Sequence, residues 1–358
     1  LLEGDRVISF PNYCSLRSLF IVLGNGGRTS MTLYKFKFMA LLYTLLFFVL
    51  GPYAFSDDTQ WAAPRTIDGH PDLQGVWANN TITPLERPEI FGDKEFLTDD
   101  DIAFLNRRIN EIQSEGSDAL FVDGVLEAAF SGEVVSYDPS TGNYDSQWMV
   151  DRTVHRRTSQ ILDPSNGRLP EMTREALALA QEYETRQIEH PADSWLDRPL
   201  TERCITFGGP DIWFAGYNSY WQIVQSKDSV AIIQEKIHDV RVIPIVDKPQ
   251  LDRKINLWHG DSRGWWDGDT LIIETTNISE KSDLLHAVTT DGLLARRPGP
   301  KASERKYTER ITRVSEKVIR YQITNSDPGT YTQPYTAEVI LDYAEDPIFE
   351  YACHEGNY

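Results

Sequence analysis

Cysteine and positive charge are both scarce in this sequence, and only one stretch is continuously apolar. Of three cysteines, Cys14 stands in a leader-like segment, so only Cys204 and Cys353 remain and they allow a single pairing. Lys and Arg number 35 against 54 Asp and Glu, a formal net charge of −19. A surface of that sign repels phosphate backbones and anionic lipid, which excludes nucleic acid as a partner. The apolar run Phe38–Leu50 is about 13 residues, short of the roughly 20 that a membrane span needs. No stable span is expected after processing. No internal repeat of fixed period is present either.

What is there begins with a leader. Met31, Lys35 and Lys37 precede the apolar run, Gly51-Pro52 ends it, and the small residues Ala54 and Ser56 follow. That is the order of a secretory signal peptide. The expected organisation is an upstream untranslated frame over residues 1–30, a signal peptide over 31–56 and an exported chain from Asp57. An uncleaved anchor is the alternative. Removing this leader takes away five basic and two acidic residues and moves the net charge to about −22. Export places the chain in the periplasm or outside the cell, where thiols oxidise. A Cys204–Cys353 disulfide is therefore favoured over two buried thiols or one reactive thiol. It would close a loop of about 150 residues, worth on the order of 4–5 kcal/mol. Cys353 and His354 are neighbours in a strand-like run and point to opposite faces, which argues against a catalytic Cys–His pair.

Two styles of sequence meet near residue 200. Residues 57–200 are rich in proline and polar groups and carry two helical stretches. The first runs from about Thr98 to Glu115, capped by Thr98, with Ile102, Leu105, Ile109 and Ile112 on one face. The second runs from Thr173 to Glu189, with Leu177, Ala180 and Tyr183 as its apolar stripe. Residues 157–162 read as one strand. From Tyr220 the apolar period becomes two. Turns at Lys227-Asp228, Asp267-Gly268, Ser315-Glu316 and Asp327-Pro328-Gly329 divide about eight or nine strands, ending with "PIFEYACHE". The expected fold is mainly β with peripheral helices: residues 201–358 form an antiparallel meander closing as a barrel or a strongly curved sheet. The N-terminal half wraps around it, and residues 57–358 make one unit. Gly75-Val76-Trp77 resembles the Gly-x-Trp that opens lipocalin-like barrels, but a Pro-rich, helical segment follows it instead of strands.

Three clusters carry candidate chemistry. "QEKIHDVRVIP" gathers Glu235, His238, Asp239 and Arg241. Its β-branched flanks argue strand, so Glu235 and His238 point apart and do not share a metal unless the backbone bulges, while Glu235 and Arg241 suit a structural ion pair, on one face of a continuous strand or across a turn at Ile237-His238-Asp239. "WHGDSRGWWDGD" gathers His259, Asp261, Arg263, Trp265 and Trp266. It reads either as a solvated hairpin or as a pocket rim where tryptophan stacks on a ligand ring while Asp261 and Arg263 fix polar groups. Tyr217 and Trp221 add aromatic surface, and Arg241 adds a polar contact. His354 and Glu355 close the sequence beside Cys353. His238 and His354, tuned by Asp239 and Glu355, are the candidate general bases or metal ligands. No spacing enforces a metal site, so no cofactor is assigned; zinc or iron is the alternative if three ligands converge.

Eight blocks, "PDLQGVW…TPLERP", "RRTSQILDPSNGRLP", "DRPLTERCITFGGP", "YNSYWQIVQ", "EKIHDVRVIP", "GDSRGWWDGDTLIIETTN", "ERITRV" and "FEYACHEGNY", resemble in this order a family of exported bacterial proteins. The resemblance spans nearly all of the exported chain. It implies secretion and a single integrated unit, not a reaction. Members of that family continue past the last block, so a final segment is expected beyond Tyr358, and "LLARRPGPKAS" reads as an addition. The reading that follows is an exported β protein that binds a small molecule. The alternative is a periplasmic or secreted hydrolase or lyase using His238 or His354 with acidic partners. The sequence does not give the ligand or the oligomeric state.

Overall fold

The computed structural model describes residues 61–114, 126, 129–130, 152–206, 210, 218–282 and 299–353, all within the compact unit Trp61–Tyr358. Ten strands carry it: β1 Gly75–Ala78, β2 Ile161–Asp163, β3 Tyr220–Gln225, β4 Ser229–Gln234, β5 Val240–Pro244, β6 Asp261–Asp267, β7 Thr270–Thr276, β8 Lys306–Ser315, β9 Val318–Ser326 and β10 Tyr335–Ala344. They form one antiparallel sheet in the order β5-β4-β3-β1-β10-β9-β8-β7-β6, with β2 also paired to the start of β10. The class is mainly β, as the period-two pattern requires. The turns at Lys227-Asp228 and Asp267-Gly268 lie where the sequence places them, and Gly268 takes the positive φ of 59° that a tight hairpin turn needs.

The hydrogen-bonded ladder is open, so the closed, lipocalin-like barrel is not formed. Parity gives a reason. Each of the nine strands on the path runs opposite to its neighbours, and nine is odd, so the end strands β5 and β6 point the same way. Closing the ring would need one parallel pair in an otherwise antiparallel sheet. The sheet curls instead, and side chains fill the seam. A Cβ built on Gly264 of β6 would lie 2.6 Å from Cδ1 of Ile245 and 3.0 Å from Cγ2 of Ile243. Glycine is what lets the end of β5 approach this strand.

One face of every path strand except the edge strand β6 supplies a single apolar interior. It includes Trp77, Trp221, Ile232, Ile243, Ile273, Ile311, Tyr321 and Val339, and Trp266 of β6 packs against it. Burying each such side chain contributes roughly 1.5–3 kcal/mol. Trp77 is fully buried, meets Tyr343 edge-on at 5.5 Å and donates its indole N–H to the Leu73 carbonyl at 2.9 Å. Trp221 meets Tyr321 in the same way at 5.3 Å. Within this interior Arg241 reaches from β5 to Glu309 on β8 through two hydrogen bonds of 3.0 and 2.6 Å, and the Tyr321 hydroxyl donates to the same carboxylate at 2.7 Å.

The N-terminal half does more than wrap. β1 sits in the middle of the sheet between β3 and β10. Four residues are too few to show a period, and pairing on both sides is what makes them a strand. Helix α1, Asp99–Ser114, buries Leu105 and Ile109 against Ile82, Phe91 and Leu97 in a second, smaller core. Helix α2, Arg174–Glu189, starts at Thr173, whose hydroxyl accepts the Ala176 N–H. Its buried stripe is Ala176 and Ala180 with Tyr183; Leu177 is 50% exposed, which corrects the expected stripe by one position. Residues 345–353 form no strand, contrary to the expectation for "PIFEYACHE". Among the described residues no helix is long and apolar enough to cross a membrane.

Candidate functional site

A cleft of about 640 Å³ opens where β5 ends and its chain continues as Ile245–Lys248 beside Arg263–Trp266 of β6. It therefore lies at one end of the open seam. Its first wall is built by local hydrogen bonds. Asp261 is buried; its carboxylate accepts the Leu251 N–H at 2.7 Å and pairs with the Arg263 guanidinium. Arg263 also donates to the Ser262 and Pro249 carbonyls. Asn277, held at φ 56°, donates its amide to the carbonyls of Leu251, Asp252 and Ile255. Together these bonds pin the loop that follows β5 against β6.

The second wall is aromatic. Successive strand residues face opposite ways, so Trp266 turns toward the core while Trp265 turns outward and is 46% exposed. The His70 ring lies flat on Trp266 at 4.9 Å with the planes 8° apart. A tight loop holds His70 there. The Thr66 N–H donates to the His70 carbonyl, the Asp72 N–H donates to the Pro64 carbonyl, and Arg65 reaches Asp269 in the β6–β7 turn at 2.6 Å. Asp247 and Lys248 line the cleft with no ion-pair partner among the described residues, whereas Glu274 is already bound to Lys306.

A second polar cluster stands at the other end of β5. Residues Lys236–His238 make a single 3-10 turn in which Ile237, β-branched and buried, is held at φ 52°. That conformation is costly for such a side chain and persists only where the surroundings impose it. Glu235 before the turn is 5% exposed. Burial pushes its carboxyl above the usual range; the Asn218 amide at 3.0 Å, the Phe349 backbone N–H and Lys236 pull the other way. Asp239 after the turn accepts the Thr206 hydroxyl at 3.0 Å and lies 3.3 Å from Nε2 of His259. Two residues before Thr206, Cys204 is joined to Cys353 in a disulfide, with Cα atoms 5.4 Å apart.

The structure thus distributes the sequence-selected residues over different places. Arg263, Trp265 and Trp266 line the cleft, and Asp261 braces it from beneath. Arg241 and Trp221 do not reach the cleft: both are buried in the sheet interior. The expected Glu235–Arg241 pair is replaced by Arg241–Glu309, whose side chains are 4% and 0% exposed. Arg241 points inward along β5, whereas Glu235 belongs to the turn. Burial alone would lower the Arg241 pKa, but the Glu309 carboxylate more than offsets it and raises it. Asp239 finds His259 and Thr206 as partners. Of His238 only the backbone, in the turn, is described; Tyr217, His354 and Glu355 lie outside the described residues. Among the described residues no three His, Cys, Asp or Glu side chains gather as metal ligands would. His70, Asp247 and Lys248 escaped the sequence reading as cleft residues. The only signal for His70 was its place in "DGHPDLQGVW", far in sequence from the tryptophan it covers. No protein-family model matches the chain, and no curated protein matches it in sequence.

Proposed function

We propose that this is an exported protein that binds a small ring-bearing molecule in the cleft beside Trp265 and Trp266. The observation that carries the reading is the cleft itself: an exposed indole, a stacked His70–Trp266 wall and two charges without an ion-pair partner among the described residues, Asp247 and Lys248, converge on one concavity. Apolar faces with a few placed polar groups are what ligand sites offer. An indole gains by stacking on a flat aromatic or sugar face, and the unpaired charges select for polar substituents. The leader-like segment and the Cys204–Cys353 bond favour export, which fractionation of cells expressing the full chain tests. Binding is tested by tryptophan-fluorescence titration with aromatic acids and with mono- and disaccharides. A Trp265→Ala variant is expected to lose about tenfold or more in affinity. Wild-type affinity in that variant would remove the cleft from the reading.

A hydrolytic or lyase activity is the second reading, favoured by the Thr206–Asp239–His259 cluster. His259 directs Nε2 at Asp239, which would leave Nδ1 as the basic nitrogen, and Nδ1 is buried without a partner among the described residues. A substrate would have to reach an enclosed atom, so binding stands first. A hydrolase screen with chromogenic esters and glycosides decides between them: turnover that disappears in His259→Ala and Asp239→Asn would put the enzyme ahead.

A further inference from the structure

The outward face of the sheet adjoins the cleft at Trp265, with Ile272 of the neighbouring strand only 3% exposed, and the strand register shows what it presents. Trp265 of β6 stands opposite Ile272 of β7, Ile272 opposite Arg310 of β8, Arg310 opposite Gln322 of β9, and Gln322 opposite Glu338 of β10. On one side of this row lie Thr308, Thr324 and Thr336, and on the other Thr270, Thr312 and Arg320, each again in register across neighbouring strands. Hydrogen bonds between side chains tie neighbouring strands together across this face. The Thr270–Thr312 and Thr324–Thr336 hydroxyl pairs and the Gln322 amide to Glu338 carboxylate bond are all 2.8 Å. Arg310 and Arg320 are exposed. Arg310 only approaches Asp267 at 3.6 Å, and Arg320 has no partner among the described residues.

We infer that this face is a binding platform for a linear oligosaccharide that starts in the cleft on Trp265 and runs across the strands over Arg310 and Gln322. The inference rests on the cleft reading and names its ligand class. Five strands about 4.8 Å apart make a row of roughly 19 Å. The last three strands of the row each offer one polar side chain, at a step close to the length of one pyranose in an extended chain. The chemistry matches a polyhydroxylated partner: hydroxyl, amide, guanidinium and carboxylate groups alternate donors with acceptors, and one exposed indole supplies stacking. A protein partner would want an exposed apolar centre, and this face has little beyond Trp265 and Ile340, since Ile272 is buried. A nucleic acid would meet a chain of net charge −19.

The test is affinity against chain length. The secreted full chain is titrated calorimetrically with β-1,4-linked glucose, xylose, mannose and uronate oligomers of two and six units, and with indole-3-acetate as a sugar-free probe of the cleft. In at least one series the hexamer is expected to bind about tenfold tighter than the dimer. An Arg310→Ala, Gln322→Ala double variant, its fold checked by circular dichroism, should bring the hexamer back toward the wild-type dimer value. Equal affinities for dimer and hexamer overturn the platform and leave the cleft standing, as does indole-3-acetate binding with no sugar binding. A chain-length gain that survives the double variant also overturns it. Binding of no probe at all removes platform and cleft together.

Discussion

Arg241 shows how one side chain is fixed by neighbours far away in sequence. Its guanidinium and the Glu309 carboxylate are both enclosed, and the Tyr321 hydroxyl completes the carboxylate's bonding. Such a pair adds little net stability over a well-packed apolar replacement, but removing one member strands the other's charge. Arg241→Met is therefore expected to destabilise the fold by about 3–5 kcal/mol in urea unfolding, and Arg241→Met with Glu309→Leu to recover most of that loss. Equal losses in the single and double variants would show that the charges are not coupled. Nothing in the sequence points to this partner. In the "HDVRVIP" block Arg241 alternates with Val240 and Val242, a pattern that would turn the arginine outward; the structure does the reverse, leaving the valines 51% and 62% exposed, and the residue across the interior lies 68 positions later and depends on the curl of the sheet. His70 on Trp266 is the same case. Asp239 stood among the residues singled out in the sequence, but its partners Thr206 and His259 come from separate segments that no spacing links.

Elements were far more legible than contacts. The hairpins β3–β4 and β6–β7 follow from alternation broken at Lys227-Asp228 and Asp267-Gly268. The two helices follow from their threonine caps and 3.6-residue stripes. β1 was hidden because four residues carry no period. At α1 the cap gives a measurable acid dependence. The Thr98 hydroxyl accepts the Asp101 N–H at 3.2 Å, and the Asp101 carboxylate accepts the Thr98 N–H at 2.7 Å and the Lys94 ammonium at 2.5 Å. Lys94 first, and Thr98 with it, lower the Asp101 pKa from 3.8 to about 2. A carboxyl whose folded pKa is depressed stabilises the fold above its unfolded value and loses that contribution as pH falls through the folded one. The contribution should thus be complete above about pH 4 and vanish toward pH 2. Asp101→Asn is expected to lower stability by about 0.5–2 kcal/mol near neutral pH, a cap's worth. The gap to wild type should narrow in melts recorded from pH 5 down to pH 2. A gap that stays constant would mean the carboxylate charge plays no part.

For the whole molecule, the Cys204–Cys353 bond is the longest covalent staple, with 149 positions between its ends. Its loss in Cys353→Ser is expected to lower stability by about 2–5 kcal/mol while leaving the sheet's far-ultraviolet signal intact, since neither cysteine lies in a strand. A variant as stable as wild type would show that the tail is held by other means. This pairing was legible because two cysteines offer one choice. The barrel expected from the same meander was not formed, since counting strands along the sheet requires knowing that β1 inserts between β3 and β10.

β5 and β6 follow one another in the chain yet stand at opposite edges of the sheet, so residues 245–260 form a strap across the gap they border. The rim of the molecule is buckled, not zipped. How far it can gape depends on the slack in one loop, and that slack is set by a few side chains, Asp261, Arg263 and Asn277, fastening the strap to the edge.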